Sequence, residues 1–206
     1  RVPRSWLQEF IEIPSDATLE DIADAYVRIG IEPECTEVVG ADLVGPIVVG
    51  KVLEFVEEPQ SNGKTIRWCQ VEVGEGQIQG IVCGAGNFFV DDKVVVSLPG
   101  AVLPGGFAIA ARKTYGHTSD GMICSQRELG LGDDHTGIMV LPAGSATPGD
   151  DAFPIVGLGE EVLDIAVTPD RGYALSIRGI AREAAIAQER LLADAMLRDL
   201  EGSAVR

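Results

Sequence analysis

From Phe107 to Ser119 the chain carries no acidic residue, while Arg112, Lys113 and His117 fall within six positions. The rest of the sequence is strongly acidic: 32 Asp and Glu against 16 Lys and Arg give a formal charge of -16. Residues 9–42 and 150–170 hold many of the acids. A charge of that sign excludes a high-affinity, non-specific nucleic-acid binder, because phosphate neutralisation dominates such binding. The stretch fits a local, modest phosphate contact. The competing reading is a solvated loop that happens to be basic.

Other residue types invite other chemistry. Cys124, His117 and His135, with Asp133 or Asp134 as orienter, are the groups of a nucleophile–base set. No local motif joins them, and such sets are defined by geometry, so no catalytic residue is assigned. His117 and His135 stand 18 positions apart with no clustered Cys, which leaves no zinc set and no metal ligand assigned. Asp133-Asp134-His135 reads as a solvated turn. Gly74-Glu75-Gly76 and Gly84-Ala85-Gly86 fit neither the dinucleotide nor the P-loop spacing, so no phosphate cradle is expected. Cys35, Cys69, Cys83 and Cys124 are far apart, and the last three lie in apolar contexts (WCQV, IVCG, MICS) where Cys packs as a small hydrophobe. Reduced thiols are expected, not disulfides.

A chain of 206 residues can bury a sizeable core as one domain or two small ones. No apolar run approaches the roughly 18 residues of a membrane span. The start, RVPRSWLQEFIEIP, has no apolar stretch of signal-peptide type, and its lack of Met points to a processed or trimmed beginning.

Two kinds of pattern must position the basic stretch. Residues 15–30 read as a helix: Ser15 or Thr18 can cap it, Asp21 follows Thr18 by three, and Gly30 supplies a stop. Leu19, Ile22, Ala23, Tyr26 and Ile29 form its apolar face. A short strand over 34–39 follows. From Ile47 the pattern becomes strands, at 47–55, 67–73, 78–83, 93–98 and 107–111, broken by Asn62-Gly63, Gly74, Gly84, Pro99-Gly100 and Pro104-Gly105-Gly106. In 67–73, Cys69, Val71 and Val73 share one face. Five such strands fit a small antiparallel barrel of OB type, and a β-sandwich would read much the same. After a loop-like 143–161, residues 162–167 read as a strand and 175–200 as a long Ala-rich helix. Each end of the chain thus offers one helix and one strand, too little to stand alone, so the ends should pack together.

Four elements then carry a resemblance: VCGA-x-N at Val82–Asn87, LPGAVLPGGF from Leu98, SDGMICS from Ser119 and ELGL from Glu128. In that order they resemble the tRNA-binding OB-type domain of the bacterial phenylalanyl-tRNA synthetase beta subunit. The opening RVPRSWLQEF and the segment VTPDRGYALSIRGIAREAA resemble the same subunit's flanks, carrying the likeness from Arg1 to about Ala187. The resemblance decides for the barrel. It implies an α+β fold in which an OB-type antiparallel β-barrel is inserted into a small discontinuous α+β domain. The expected division is 1–45 and 151–190 for that domain, 46–150 for the barrel, and 191–206 for a helical tail.

OB barrels bind single-stranded or irregular nucleic acid with cations, polar groups and flat surfaces. Asn87, Lys93, Arg112, Lys113, Tyr115, His117, Ser119, Met122 and Ser125 offer those chemistries and are the expected RNA-binding residues. By resemblance, Asn87 matches the Asn after VCGA, and Ser119, Met122 and Ser125 match the S-x-G-M-x-C-S element. Each has a bland role too: a turn for Asn87, core filling for Met122, backbone capping for the serines. The match has gaps. EEPQSNGKTIRWC keeps only Pro59 and Lys64 of the family's His-Pro-Asn-Ala-Asp-Lys-Leu type element, and Tyr115-Gly116 stands where many relatives have Arg-Gly. Beyond Ala187 the sequence departs from the family, whose editing, catalytic-like and anticodon-binding domains would lie downstream.

The resemblance implies a cytoplasmic, non-catalytic tRNA-binding and assembly portion of a phenylalanine-tRNA ligase. The alpha subunit would be its partner in a heterotetramer, with ATP and Mg²⁺ used by the whole enzyme and no cofactor in this chain. No membrane partner is expected. The alternatives are a free-standing OB-fold tRNA-binding protein and a protein-interaction module without RNA binding. A lone barrel would have no use for the two flanks.

Overall fold

The computed structural model describes residues 1–187. In chain order its first elements are β1 (Val2–Pro3), α1 (Arg4–Gln8), α2 (Leu19–Arg28) and β2 (Glu32–Val38). Longer strands follow: β3 (Ile47–Pro59), β4 (Thr65–Glu72), β5 (Ile78–Cys83) and β6 (Lys93–Ser97). Six short ones come next: β7 (Val102–Leu103), β8 (Phe107–Ala108), β9 (Arg112–Thr114), β10 (His117–Ser119), β11 (Met122–Ile123) and β12 (Val140–Leu141). The chain continues through α3 (Ala152–Ile155), β13 (Glu161–Ala166) and α4 (Ile177–Ala187). The described residues fall into two compact units, one made of Arg1–Val38 with 160–187, the other of Val39–Gly159.

The first unit is discontinuous because β13 finds both its partners, β1 and β2, in the opening segment. Both pairings are antiparallel. Helix α2 begins at Thr18, whose hydroxyl accepts from the Asp21 amide at 3.1 Å while the Asp21 carboxylate accepts from the Thr18 amide at 2.9 Å. This reciprocal cap satisfies two otherwise orphaned donors. The bonds from Thr18 hold the Asp21 carboxyl below the usual carboxylate range. The helix therefore starts later than Ser15, and Gly30, at φ 75°, turns the chain out of it. Leu19, Ile22 and Tyr26 of α2 pack with Leu163 of β13 and Ile180, Ala181 and Ala184 of α4. Each large side chain so buried contributes about 1.5–3 kcal/mol. The tail expected over 191–206 lies outside the described residues.

The second unit is an OB-type barrel, with antiparallel strand order β11-β6-β3-β4-β5 and β12 also on β6. Strand β3 pairs with β6 through Ile47–Lys51 and with β4 through Lys51–Pro59, its register shifting between Val52 and Glu54. Gly50 makes that approach possible: a Cβ there would stand 2.6 Å from Val71 and 2.7 Å from Val96. Barrel closure is nearly complete. The Asp120 amide donates to the Gly80 carbonyl at 2.8 Å, and the Val82 amide to the Ser119 hydroxyl at 3.0 Å, joining β5 to the end of β10 and the residue after it. The interior holds Val52, Cys69, Val71, Ile81, Phe88, Val94 and Val96 in one cluster. Val49, Val95, Cys124 and Leu129 form another with Leu43, Ala152 and Leu158 from the segments flanking the barrel strands.

The expected strand over 107–111 does not enter the barrel sheet. Only Phe107–Ala108 forms a strand, and it pairs back onto Val102–Leu103. Gly105 and Gly106 both take positive φ, 76° and 77°, and reverse the chain within a few residues. The place beside β6 goes to β11.

Candidate nucleic-acid interface

The acid-free stretch forms a hairpin on the barrel. Thr114 pairs with His117, leaving Tyr115-Gly116 as a two-residue loop. Tyr115 at φ 49° and Gly116 at φ 84° supply the two positive values that a type I′ turn requires. Opposed residues share a face, so Arg112, Thr114, His117 and Ser119 lie on one side and Lys113 and Thr118 on the other.

On the first side, His117 and Ser119 hold the barrel. His117 lies on Trp68 of β4 with ring centroids 4.3 Å apart, and its Nε2 is 2.9 Å from a Glu58 carboxylate oxygen of β3. Trp68 in turn covers Gly80 of β5, where a Cβ would come within 2.3 Å of the indole. Ser119, buried, accepts from Val82 and donates to the Gly121 carbonyl at 3.0 Å. These contacts leave Lys113, the Tyr115 ring and Arg112 facing water. Arg112 lies over the Phe107 ring, 5.1 Å from its centroid. Among the described residues neither Arg112 nor Lys113 is ion-paired with a carboxylate.

The other expected residues are placed differently. Asn87 donates to the Ile138 carbonyl at 2.8 Å and accepts from its amide at 2.9 Å, so both ends of its amide are engaged. Lys93 donates to the Ala146 carbonyl. Ser125 and Glu128 bond reciprocally: the carboxylate accepts from the Ser125 amide at 2.7 Å and hydroxyl at 2.8 Å. Met122 is half-buried against the core. The structure thus brings Arg112, Lys113, Tyr115, His117 and Ser119 together on one hairpin, while Asn87, Lys93, Met122 and Ser125 serve other contacts.

Phe107, Trp68 and Glu58 belong to this region and were absent from the residues expected to bind. Phe107 opens the acid-free run, which was the available signal. The partnership of Trp68 with His117 joins residues distant in sequence and left none.

Cys124 is fully buried with its sulfur 3.0 Å from the Ser97 hydroxyl, and burial pushes its thiol up to about 12. His117 is engaged by Glu58, and His135 bonds the Asp133 carbonyl in an exposed turn. These groups do not form a nucleophile–base set. No group of three or more His, Cys, Asp or Glu among the described residues is placed to hold a metal ion. No helix among them is long and apolar enough to cross a membrane.

The barrel matches what the comparisons with known proteins return. The family model described as "Putative tRNA binding domain" matches residues 47–151, and the chain belongs to this family. Its relatives are phenylalanine-tRNA ligase beta subunits. That of Thermobifida fusca is 58% identical over 208 aligned positions, covering 99% of this chain and 25% of the relative. Those of Leifsonia xyli and Streptomyces avermitilis are each 57% identical, over 89% and 97% of this chain and 23% and 24% of the relative. The likeness to the beta subunit read from the sequence is borne out, and these relatives are actinobacterial. The chain spans about a quarter of their length.

Proposed function

We propose that this chain is the non-catalytic tRNA-binding and assembly portion of a phenylalanine-tRNA ligase beta subunit, and that the hairpin β9–β10 is its contact with tRNA. The observation that carries the reading is the pair Arg112 and Lys113, exposed, without carboxylate partners, and free of acids for several positions on either side, in a chain of charge -16. Cations left unpaired on an acidic protein are suited to phosphate, which they attract locally while the overall charge keeps affinity low. The barrel works as the RNA-binding domain of the division 1–45, 46–150, 151–190 and 191–206. The relatives' printed name, phenylalanine-tRNA ligase beta subunit, supports a role in an enzyme joining phenylalanine to its tRNA; the cytoplasmic location and the alpha subunit as partner in a heterotetramer are part of the proposal. ATP and Mg²⁺ would act on the alpha subunit. Among the described residues no group of three or more His, Cys, Asp or Glu is placed to hold the metal.

Titration of labelled tRNA with the 206-residue chain at low salt tests the proposal. Binding in the micromolar range or weaker is expected, as for contacts made mainly to phosphate. Phenylalanine-dependent ATP–pyrophosphate exchange by the isolated chain should be absent. Exchange activity, or no tRNA binding at any salt, would refute it.

A further inference from the structure

We infer that Asn62 is a site of spontaneous covalent modification, converting through a cyclic imide to aspartate and isoaspartate with loss of ammonia. The inference is independent of the tRNA reading and rests on the turn that joins β3 to β4.

Pairing between β3 and β4 ends at Pro59 and Thr65, so residues 60–64 form a loop beyond the sheet. Ser61, Asn62, Gly63 and Lys64 are all exposed. The Asn62 side-chain oxygen accepts from the Lys64 amide at 3.1 Å, which folds the side chain toward the backbone that follows it. The Gly63 nitrogen, between the two bonded residues, closes a five-membered ring if it attacks the Asn62 side-chain carbonyl carbon.

Three features favour that closure. Gly63 has no side chain, and a Cβ there would meet nothing within 4 Å, so the backbone is free to rotate into position. The Lys64 amide donates to the oxygen on which negative charge develops during attack, as donors that stabilise oxyanions do. The hydrogen bond that must open, from the Gly63 amide to the Gln60 carbonyl at 3.0 Å, belongs to the loop and not to the sheet.

The steps balance with water alone. The Gly63 amide loses its proton and its nitrogen bonds the Asn62 carbonyl carbon. The bond from that carbon to the side-chain nitrogen breaks, and the nitrogen leaves with the proton as ammonia. Water then adds to either carbonyl of the imide. One opening gives aspartate, and the other gives isoaspartate, with the backbone running through the side chain. Either product adds a negative charge to a chain already at -16.

The second asparagine of the sequence supplies the contrast. Asn87 precedes Phe88, which is fully buried, and its amide is engaged at both ends by Ile138. Asp120-Gly121, the other pair of types open to such a ring, is packed in place. The Asp120 amide donates to Gly80 at 2.8 Å, and a Cβ at Gly121 would stand 2.9 Å from the Ser97 carbonyl.

The test is incubation of the folded 206-residue chain at neutral and at mildly alkaline pH, followed by peptide mass analysis and labelling with an isoaspartyl methyltransferase. The peptide containing Asn62 should gain about one dalton, as an amide becomes a carboxyl, and should accept the methyl label. Conversion should rise about tenfold per pH unit, because the nucleophile is the deprotonated amide. The Asn87 peptide should keep its mass. Asn62→Gln, which would need a larger ring, should lose both signals and keep the wild-type melting transition. Unchanged mass at Asn62, over a period that half converts a free peptide of residues 58–67, overturns the inference. Equal conversion at Asn62 and Asn87 also overturns it.

Discussion

The imidazole of His117 lies flat on the indole of Trp68, with ring centroids 4.3 Å apart and planes 12° from parallel. The pair joins the hairpin to the barrel wall, and the Glu58 carboxylate at 2.9 Å fixes the imidazole's edge. Through it, Trp68 sets where Arg112, Lys113 and Tyr115 are displayed.

Replacing Trp68 with Ala should therefore lower tRNA affinity by about three- to tenfold without changing the log–log salt slope, since no phosphate partner is lost. Trp68→Phe, which keeps a ring under His117, should restore most of the loss. A changed slope in Trp68→Ala would place Trp68 at the RNA surface instead.

Ser119 closes the barrel seam by accepting from the Val82 amide at 3.0 Å in a buried position. Ser119→Ala leaves that amide without its acceptor and should destabilise the barrel by about 1–3 kcal/mol. Urea unfolding measures it. A loss under a few tenths of a kcal/mol would show that the seam holds without the hydroxyl.

The Tyr26 hydroxyl, fully buried, donates to the Ile180 carbonyl at 3.1 Å. Tyr26→Phe should cost about 1 kcal/mol of stability in the first unit and leave tRNA binding unchanged. Weakened tRNA binding in that variant would contradict confinement of the contact to the barrel.

Cys69, Cys83 and Cys124 are buried and Cys35 is exposed. Burial raises all three enclosed thiols, pushing Cys69 and Cys124 up to about 12 from an ordinary value of 9.0. One thiol should react promptly with a disulfide reagent at pH 8 and three only after unfolding. The folded values are raised, so their stabilising effect is complete below pH 9 and is lost as pH rises toward 12, where unfolded thiols ionise first. Alkaline denaturation midpoints, compared with a triple Cys→Ala chain corrected for its lower baseline, follow that window. Prompt reaction of two or more thiols would show the barrel to be open.

The parts of the fold that were legible in the sequence are those fixed by neighbours. Thr18 and Asp21 form their cap within one turn, and the alternation of Cys69, Val71 and Val73 marks one buried face. The fifth barrel strand was misplaced because FAIAA is apolar enough to pair, while its partner was decided by the turn at Gly105-Gly106. Asn87 spends its amide on Ile138, 51 positions away, a bond that no local pattern records. At the candidate site, the hairpin cations were visible as a gap in the acids. Phe107 and Trp68 become part of it only once strands are paired.

The contact itself is tested most directly by a salt titration of tRNA binding to the wild-type chain and to the double variant Arg112→Ala, Lys113→Ala. Losing two phosphate partners should reduce the log–log slope by about one to two units and weaken binding to all tRNAs alike. Identical slopes for the two proteins would contradict the assignment and place the RNA elsewhere on the chain.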